Sequence, residues 1–199
     1  LEPYASVNYI WTLSCLTVDE LNRPDSTYRR YGPKKIICRS GGSGAQKVKT
    51  ATELALGGVE FYIDDVEVNT VITHNKGTKQ ADAINGSFKI FEPYSMGLFY
   101  ETLQIAALSC GYKNYIDAPF MLTLHFKGYD DNGNVSQVPG TTRYFPIHII
   151  NSTFNVTEQG STYDVAYVKH NDQGFGDNQQ AAKNDLNLSG STVQELLQT

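Results

Sequence analysis

The sequence is poor in charge. Lys, Arg, Asp and Glu make up 19% of its 199 residues, below the quarter usual for soluble domains. Sixteen basic residues against 21 acidic ones give a formal net charge of −5. Proteins with a general affinity for nucleic acid or anionic membrane usually show net positive charge or a basic face, so this balance argues against both. Cysteine is scarce too: Cys15, Cys38 and Cys110 cannot all pair within one chain, and none forms a CxxC. Each lies in an apolar stretch, so they read as buried free thiols from a reducing compartment. No run approaches the roughly 18 apolar residues of a membrane span. The basic start and apolar core of a secretory signal are likewise missing from the first residues.

What the chain does have is aromatic and apolar content. Hydrophobic residues make up 40%, and Tyr and Phe number 13 and 9 against a single Trp. This composition fits a globular, β-rich domain and excludes disorder as the main state. A chain of this length buries roughly 70% of its unfolded surface, enough for a core without staples.

Period-two alternation dominates the pattern. Tyr9, Trp11, Leu13 and Cys15 share one strand face. Residues 22–33 read as a long polar loop, and Lys35 to Arg39 as a short strand ended by Gly41-Gly42-Ser43-Gly44. Lys47 to Leu56 is compatible with strand and helix, with strand preferred. Val59 to Val68 and Phe88 to Phe91 read as strands, and the polar run Thr73 to Gly86 between them as a surface loop. The spacing then predicts one helix: Ser95 is its N-cap, Phe99, Leu103, Ala106 and Cys110 form its stripe, and Gly111 ends it.

Beyond the helix, Phe120 to Phe126 alternates cleanly. Asp131-Asn132-Gly133-Asn134 is turn chemistry. Arg143 to Ile149 is a strand in which Pro146 requires an edge or a bulge. Phe154 to Thr157 and Tyr163 to Tyr167 read as a hairpin. About eight strands and one central helix result. Residues 1–170 form one domain and residues 171–190, Gly-rich and polar, a linker. Residues 191–199 open a helix with the Thr192–Glu195 capping box. One turn of helix is not stable alone, so the chain is expected to be a segment of a longer polypeptide.

Several residue sets invite chemical readings. Asp130, Asp131, Asn132 and Asn134 resemble part of a calcium loop, but the distal bidentate Glu is missing, and a hairpin turn is preferred. His125 and His148 lie in strands that could be neighbours and share a metal. No HxH or HExxH supports this, and polar groups on a sheet face are the plainer reading. Ser43 lacks the strand–turn–helix setting of a nucleophile elbow, and no Gly-Lys-Ser/Thr follows these glycines. Asp64 and Asp65 alternate onto opposite faces and make no acid–base pair. Asn-x-Ser/Thr triplets at Asn85, Asn134, Asn151, Asn155 and Asn187 are glycan acceptors only in a secreted setting.

The one basic, aromatic-interleaved patch is Tyr28, Arg29, Arg30, Tyr31, Lys34 and Lys35. It suits phosphate contact and stacking, contact with an acidic neighbouring subunit, or simple solvation, and it is the candidate subunit interface. The loop Thr73–Gly86 is a second candidate. Residue chemistry alone nominates no catalytic, cofactor or metal site.

The stretch EPYSMGLF, with the later GYKNYIDAPFMLTLHFKGYDDNGN, spans residues 92–99 and 111–134. It resembles tail or baseplate hub proteins of contractile-tailed bacteriophages. The specific part covers about a fifth of the chain, and the closing LSGSTVQELL agrees more loosely.

The resemblance implies a tail-tube-like domain: α+β, mostly antiparallel, a β-sandwich or small barrel with one flanking helix. It implies copies joined edge to edge into a trimeric or hexameric ring that links tail tube to baseplate or spike. Other tail and baseplate proteins are the implied partners, with no specific nucleic acid and no membrane. It also implies a virion location after assembly in the host cytoplasm, and no enzymatic activity or cofactor. Trp11, Phe88, Phe99, Leu103, Phe120, Leu122 and Leu124 are the expected packing residues. The alternatives are a carbohydrate- or receptor-binding β-sandwich of a virion or cell surface, and a hydrolase using Ser43 or a His/Asp pair.

Overall fold

A computed structural model describes residues 4–40, 61–72, 82–93 and 97–170. The expectations for Ser43, for Lys47 to Leu56, and for the linker and terminal helix beyond residue 170 lie outside these residues. The described residues hold eight strands: β1 (Ser6–Cys15), β2 (Lys35–Arg39), β3 (Tyr62–Ile72), β4 (Asp82–Glu92), β5 (Phe120–Tyr129), β6 (Val135–Gln137), β7 (Arg143–Thr157) and β8 (Gly160–Lys169). Their order is β1-β2-β3-β4-β8-β7-β5-β6, and β1 also pairs with β5.

That last pairing decides the architecture. β1 and β5 run antiparallel from Ser6 opposite Tyr129 to Cys15 opposite Phe120. β1 therefore hydrogen-bonds along both edges, to β2 and β5, and seven strands close into a barrel. A sandwich needs two separate sheets, so of the two expected strand architectures the small barrel is found and the sandwich is not. Neighbouring strands are antiparallel except β2 and β3, which meet in parallel at Arg39 and Tyr62.

Alternation fills the interior. Ile63 lies opposite Ile90, and Ile90 opposite Tyr163. Leu122 faces Leu13, which faces Cys38. These side chains are buried in one cluster with Phe88, Phe120, Ile147 and Val165. Phe88, Phe120 and Leu122 are core residues as expected, whereas Trp11 is only partly buried, tilted against Phe145. Cys15, Cys38 and Cys110 are free thiols and buried. The neighbouring Cys110 thiol, and then burial, hold the Cys15 thiol up.

The helix expected from the apolar stripe is α3 (Leu98–Ser109); it is preceded by two short helices described below. Phe99, Leu103, Ala106 and Ala107 enter the barrel's core cluster. Its N-cap is Gly97, not Ser95. Gly97 has φ 88°, a left-handed conformation that glycine adopts at no steric cost. The buried Glu92 carboxylate then does the capping: it accepts from the Leu98 and Phe99 N–H groups, each at 3.2 Å.

Residues 22–33 do not form a simple loop. Between β1 and β2 the chain makes α1 (Val18–Asn22), a 3-10 turn (Pro24–Ser26) and α2 (Tyr28–Tyr31). Thr17 and Glu20 form a capping box, and Glu20 also accepts from the Lys34 N–H at 3.1 Å. The excursion covers the outer side of the barrel, where Tyr28 packs with Leu16 and Met121.

Two further expectations are corrected. Asp82–Gly86 belongs to β4, because each residue has a partner in β3, so the Thr73–Gly86 loop is at most residues 73–81, outside the described part. The two strands expected at residues 143–149 and 154–157 are one strand, β7, continuous through a bulge between Ile149 and Asn151.

Candidate functional site

The basic patch is divided by the excursion that carries it. Tyr28 is 5% exposed and its ring lies 5.3 Å from that of Tyr144. It is an anchor of the satellite core, not a contact surface. Arg29 is exposed but pairs with Asp25 at 2.8 Å, and that bond raises its pKa. Arg30 lies over the Tyr31 ring at 5.2 Å, a cation–π contact, and Tyr31 is 72% exposed. Lys34 is exposed, and Lys35 is in β2 opposite Cys15. Of the six, Arg29, Arg30, Tyr31 and Lys34 face outward.

A second surface was not read from the sequence. β7 is 15 residues long, yet β5 pairs with it only from Arg143 to Ile147. Beyond that point β7 pairs with β8 alone, so its other edge from Ile149 to Thr157 meets no strand among the described residues. This edge, IINSTFNVT, carries no charge and no proline. Pro146 lies just before it, in the part paired to β5 alone. Ile150, Phe154 and Val156 are exposed.

Between this overhang and α3 runs a groove of about 320 Å³, lined by Tyr100, Leu103, Tyr115, Ile116, Ile149 and Val165 among others. Phe154 stacks on Tyr163 at 5.0 Å, and Tyr100 meets Tyr163 edge-on at 5.1 Å. The Tyr100 hydroxyl and Ser152 Oγ are 2.9 Å apart and share a hydrogen bond. Sequence reading missed the overhang because nothing local reveals that β5 stops pairing at Ile147.

The chemistry-bearing candidates resolve differently. Asp130 is used up by its own turn: Oδ1 accepts from the Asn132 and Asn134 N–H groups at 2.9 and 2.8 Å, and Oδ2 from the Asn134 amide at 2.8 Å. Those bonds hold its carboxyl below the usual range. β5 and β7 are neighbours, as a shared His125–His148 metal would need, but Phe120 lies opposite Ile147. His125 and His148 are thus six register positions apart, roughly 20 Å, and cannot share an ion. Instead His148 contacts His170, the last residue that the sequence reading assigns to the domain.

Asp65 sits at φ 47° in the bulge between Asp64 and Glu67 and pairs with Lys89 at 2.7 Å. Gly86 pairs with Val68 just past that bulge; a Cβ there would come within 2.0 Å of the Glu67 carbonyl, which the Tyr167 hydroxyl also reaches at 2.8 Å. No group of three His, Cys, Asp or Glu among the described residues is placed to hold a metal, and no described helix is long and apolar enough to cross a membrane.

Buried Glu92 is the other residue the sequence did not nominate. Tyr163 donates its hydroxyl to Oε2 and accepts from the Gly97 N–H at 3.1 Å. Burial first, and that bond second, push the Tyr163 phenol far up. The arrangement ties β4, β8 and the start of α3 together. No family model matches the chain, and neither a curated protein nor a solved structure does.

Proposed function

We propose that the chain is a structural component of a phage tail or baseplate, one subunit of a ring that joins the tail tube to the baseplate or spike. The observation that carries this reading is the overhanging edge of β7. Nine uncharged residues whose second edge meets no strand among the described residues are a liability in a monomer, which natural proteins blunt with charge, proline or cover. In a ring the same edge is an assembly surface. The aromatic groove beside it and the outward Arg30, Tyr31 and Lys34 supply further contact area of the kind enriched at interfaces. The fold itself, a closed strand-rich barrel with a helix packed on its core, is compatible with the tail-tube-like domain that the EPYSMGLF stretch suggests.

The test is particle mass and negative-stain electron microscopy of the full-length protein. Rings of three- or six-fold symmetry are expected. A dispersed monomer at high concentration overturns the proposal.

The receptor-binding alternative draws on one observation, the groove between α3 and β7 with Tyr100 and Tyr115 in its walls. Its lining is aliphatic and aromatic apart from Asn151 and Ser152, which favours an apolar side chain over a sugar. Saturable binding on a glycan array, lost on Tyr115→Ala, would turn the choice.

A further inference from the structure

We propose that His148 and His170 form a binding site for a transition-metal dication of the zinc, nickel or copper class. The β7–β8 ladder explains why the two meet. His148 lies directly opposite Val168, and His170 follows Val168 by two residues. β8 ends at Lys169, so His170 stands one residue past the ladder, near the position diagonal to His148. The ring centroids are 4.4 Å apart with planes tilted by 33°. Nδ1 of His170 is in hydrogen-bond contact with Nε2 of His148.

One of these nitrogens carries the bridging proton and the other offers its lone pair. The proton occupies the place of a metal ion. Moving it to the other nitrogen of the same ring leaves both imidazoles neutral and frees the second lone pair, so no net proton is taken up or released. A metal about 2.1 Å from each nitrogen at a tetrahedral angle needs them about 3.4 Å apart. Small rotations of the two side chains supply that separation.

The site is prepared for a ligand role. His148 is 7% exposed and fixed on β7. His170 is half-buried, and imidazole coordinates through the lone pair of its neutral form. Imidazole suits zinc, nickel and copper, whereas magnesium and calcium prefer oxygen donors. No third His, Cys, Asp or Glu clusters beside the pair among the described residues, and water can fill the remaining coordination positions.

The test is titration of nickel chloride and zinc chloride into the full chain, followed by calorimetry and by the histidine imidazole resonances. One metal per chain is expected, shifting His148 and His170 while leaving His125 in place, with no response to magnesium. His170→Asn is expected to weaken binding about tenfold or more in a metal-free protein that still unfolds in one cooperative transition. His148→Gln is expected to do the same to binding, and the more exposed His170 variant decides the matter if that protein does not fold. Binding unchanged in His170→Asn, or no saturable nickel or zinc binding at millimolar metal, overturns the proposal.

Discussion

At the scale of single residues, Glu92 is the clearest case of a side chain whose role is set by tertiary structure. It is fully buried, and its two oxygens serve the first N–H groups of α3 and the Tyr163 hydroxyl. Glu92→Ala leaves those donors without an acceptor in the core, at a cost of about 3 kcal/mol. Urea unfolding followed by circular dichroism measures the loss. Glu92→Gln keeps the shape and two acceptor lone pairs, and its expected loss is smaller. A result in which the alanine variant unfolds at the wild-type midpoint would remove Glu92 from the capping role. The sequence offers Ser95 as the local candidate instead. A carboxylate six residues before the helix comes into reach only because the chain turns back at Gly97.

His125 gives the fold a pH dependence. Burial, and then the nearby Lys127 and Arg39 charges, hold its pKa below the ordinary value of 6.5. The unfolded chain therefore takes up a proton near pH 6.5, while the folded chain resists it to lower pH. Stability from this group is full above about pH 6.5 and declines as pH falls from there toward the folded value. His170 shifts in the same direction. The melting temperature is expected to drop between pH 7 and pH 5, and His125→Gln to flatten the slope. An unchanged slope in that variant would show that His125 is not its source.

At the scale of elements, β7 shows what pattern reading can and cannot deliver. The alternation from Arg143 to Ile149 and the short apolar run from Phe154 were both legible, but their union was not. The bulge at Ile150 inserts one residue and shifts the phase, which looks in sequence like a break. The helix α3 was legible because its stripe repeats over nearly three turns. The α1–α2 excursion was not, since helices of five and four residues leave almost no period to detect.

The overhang of β7 also yields a test of assembly that leaves the barrel intact. Asn155 is exposed and lies in the part of β7 that pairs with β8 alone. Asn155→Lys places a charge on an edge that has none, the device natural sheets use against edge pairing. The monomer's stability is expected to change by less than about 0.5 kcal/mol, while rings disappear from electron micrographs. Rings that persist at wild-type yield would show that this edge is not the joint.

At the scale of the whole molecule, the sequence was informative about class and silent about closure. Alternating strands around one helix, with few charges, were enough to read a β-rich domain, and the resemblance implied the α+β, mostly antiparallel class. Whether those strands make a sandwich or a barrel depends on β1 finding β5, a pairing of two segments each readable as an ordinary strand. The basic patch was legible as a cluster of residue types, but not the burial of Tyr28, which follows from the excursion folding back over Leu16 and Met121. The contact of His148 with His170 was hidden for a related reason: register, not spacing, makes them neighbours.

The β1–β5 pairing has a consequence for synthesis. Cys15 and Phe120 are partners across 105 positions of chain, so the barrel cannot close until β5 has left the ribosome. At about 5–20 residues per second, the first strand waits roughly 5 to 20 seconds for its second neighbour. During that time the apolar side of Leu13 and Cys15 is exposed in the growing chain, and a pause in translation before β5 lengthens the exposure. A slower pace of synthesis is therefore expected to lower the fraction of chains that reach the closed barrel.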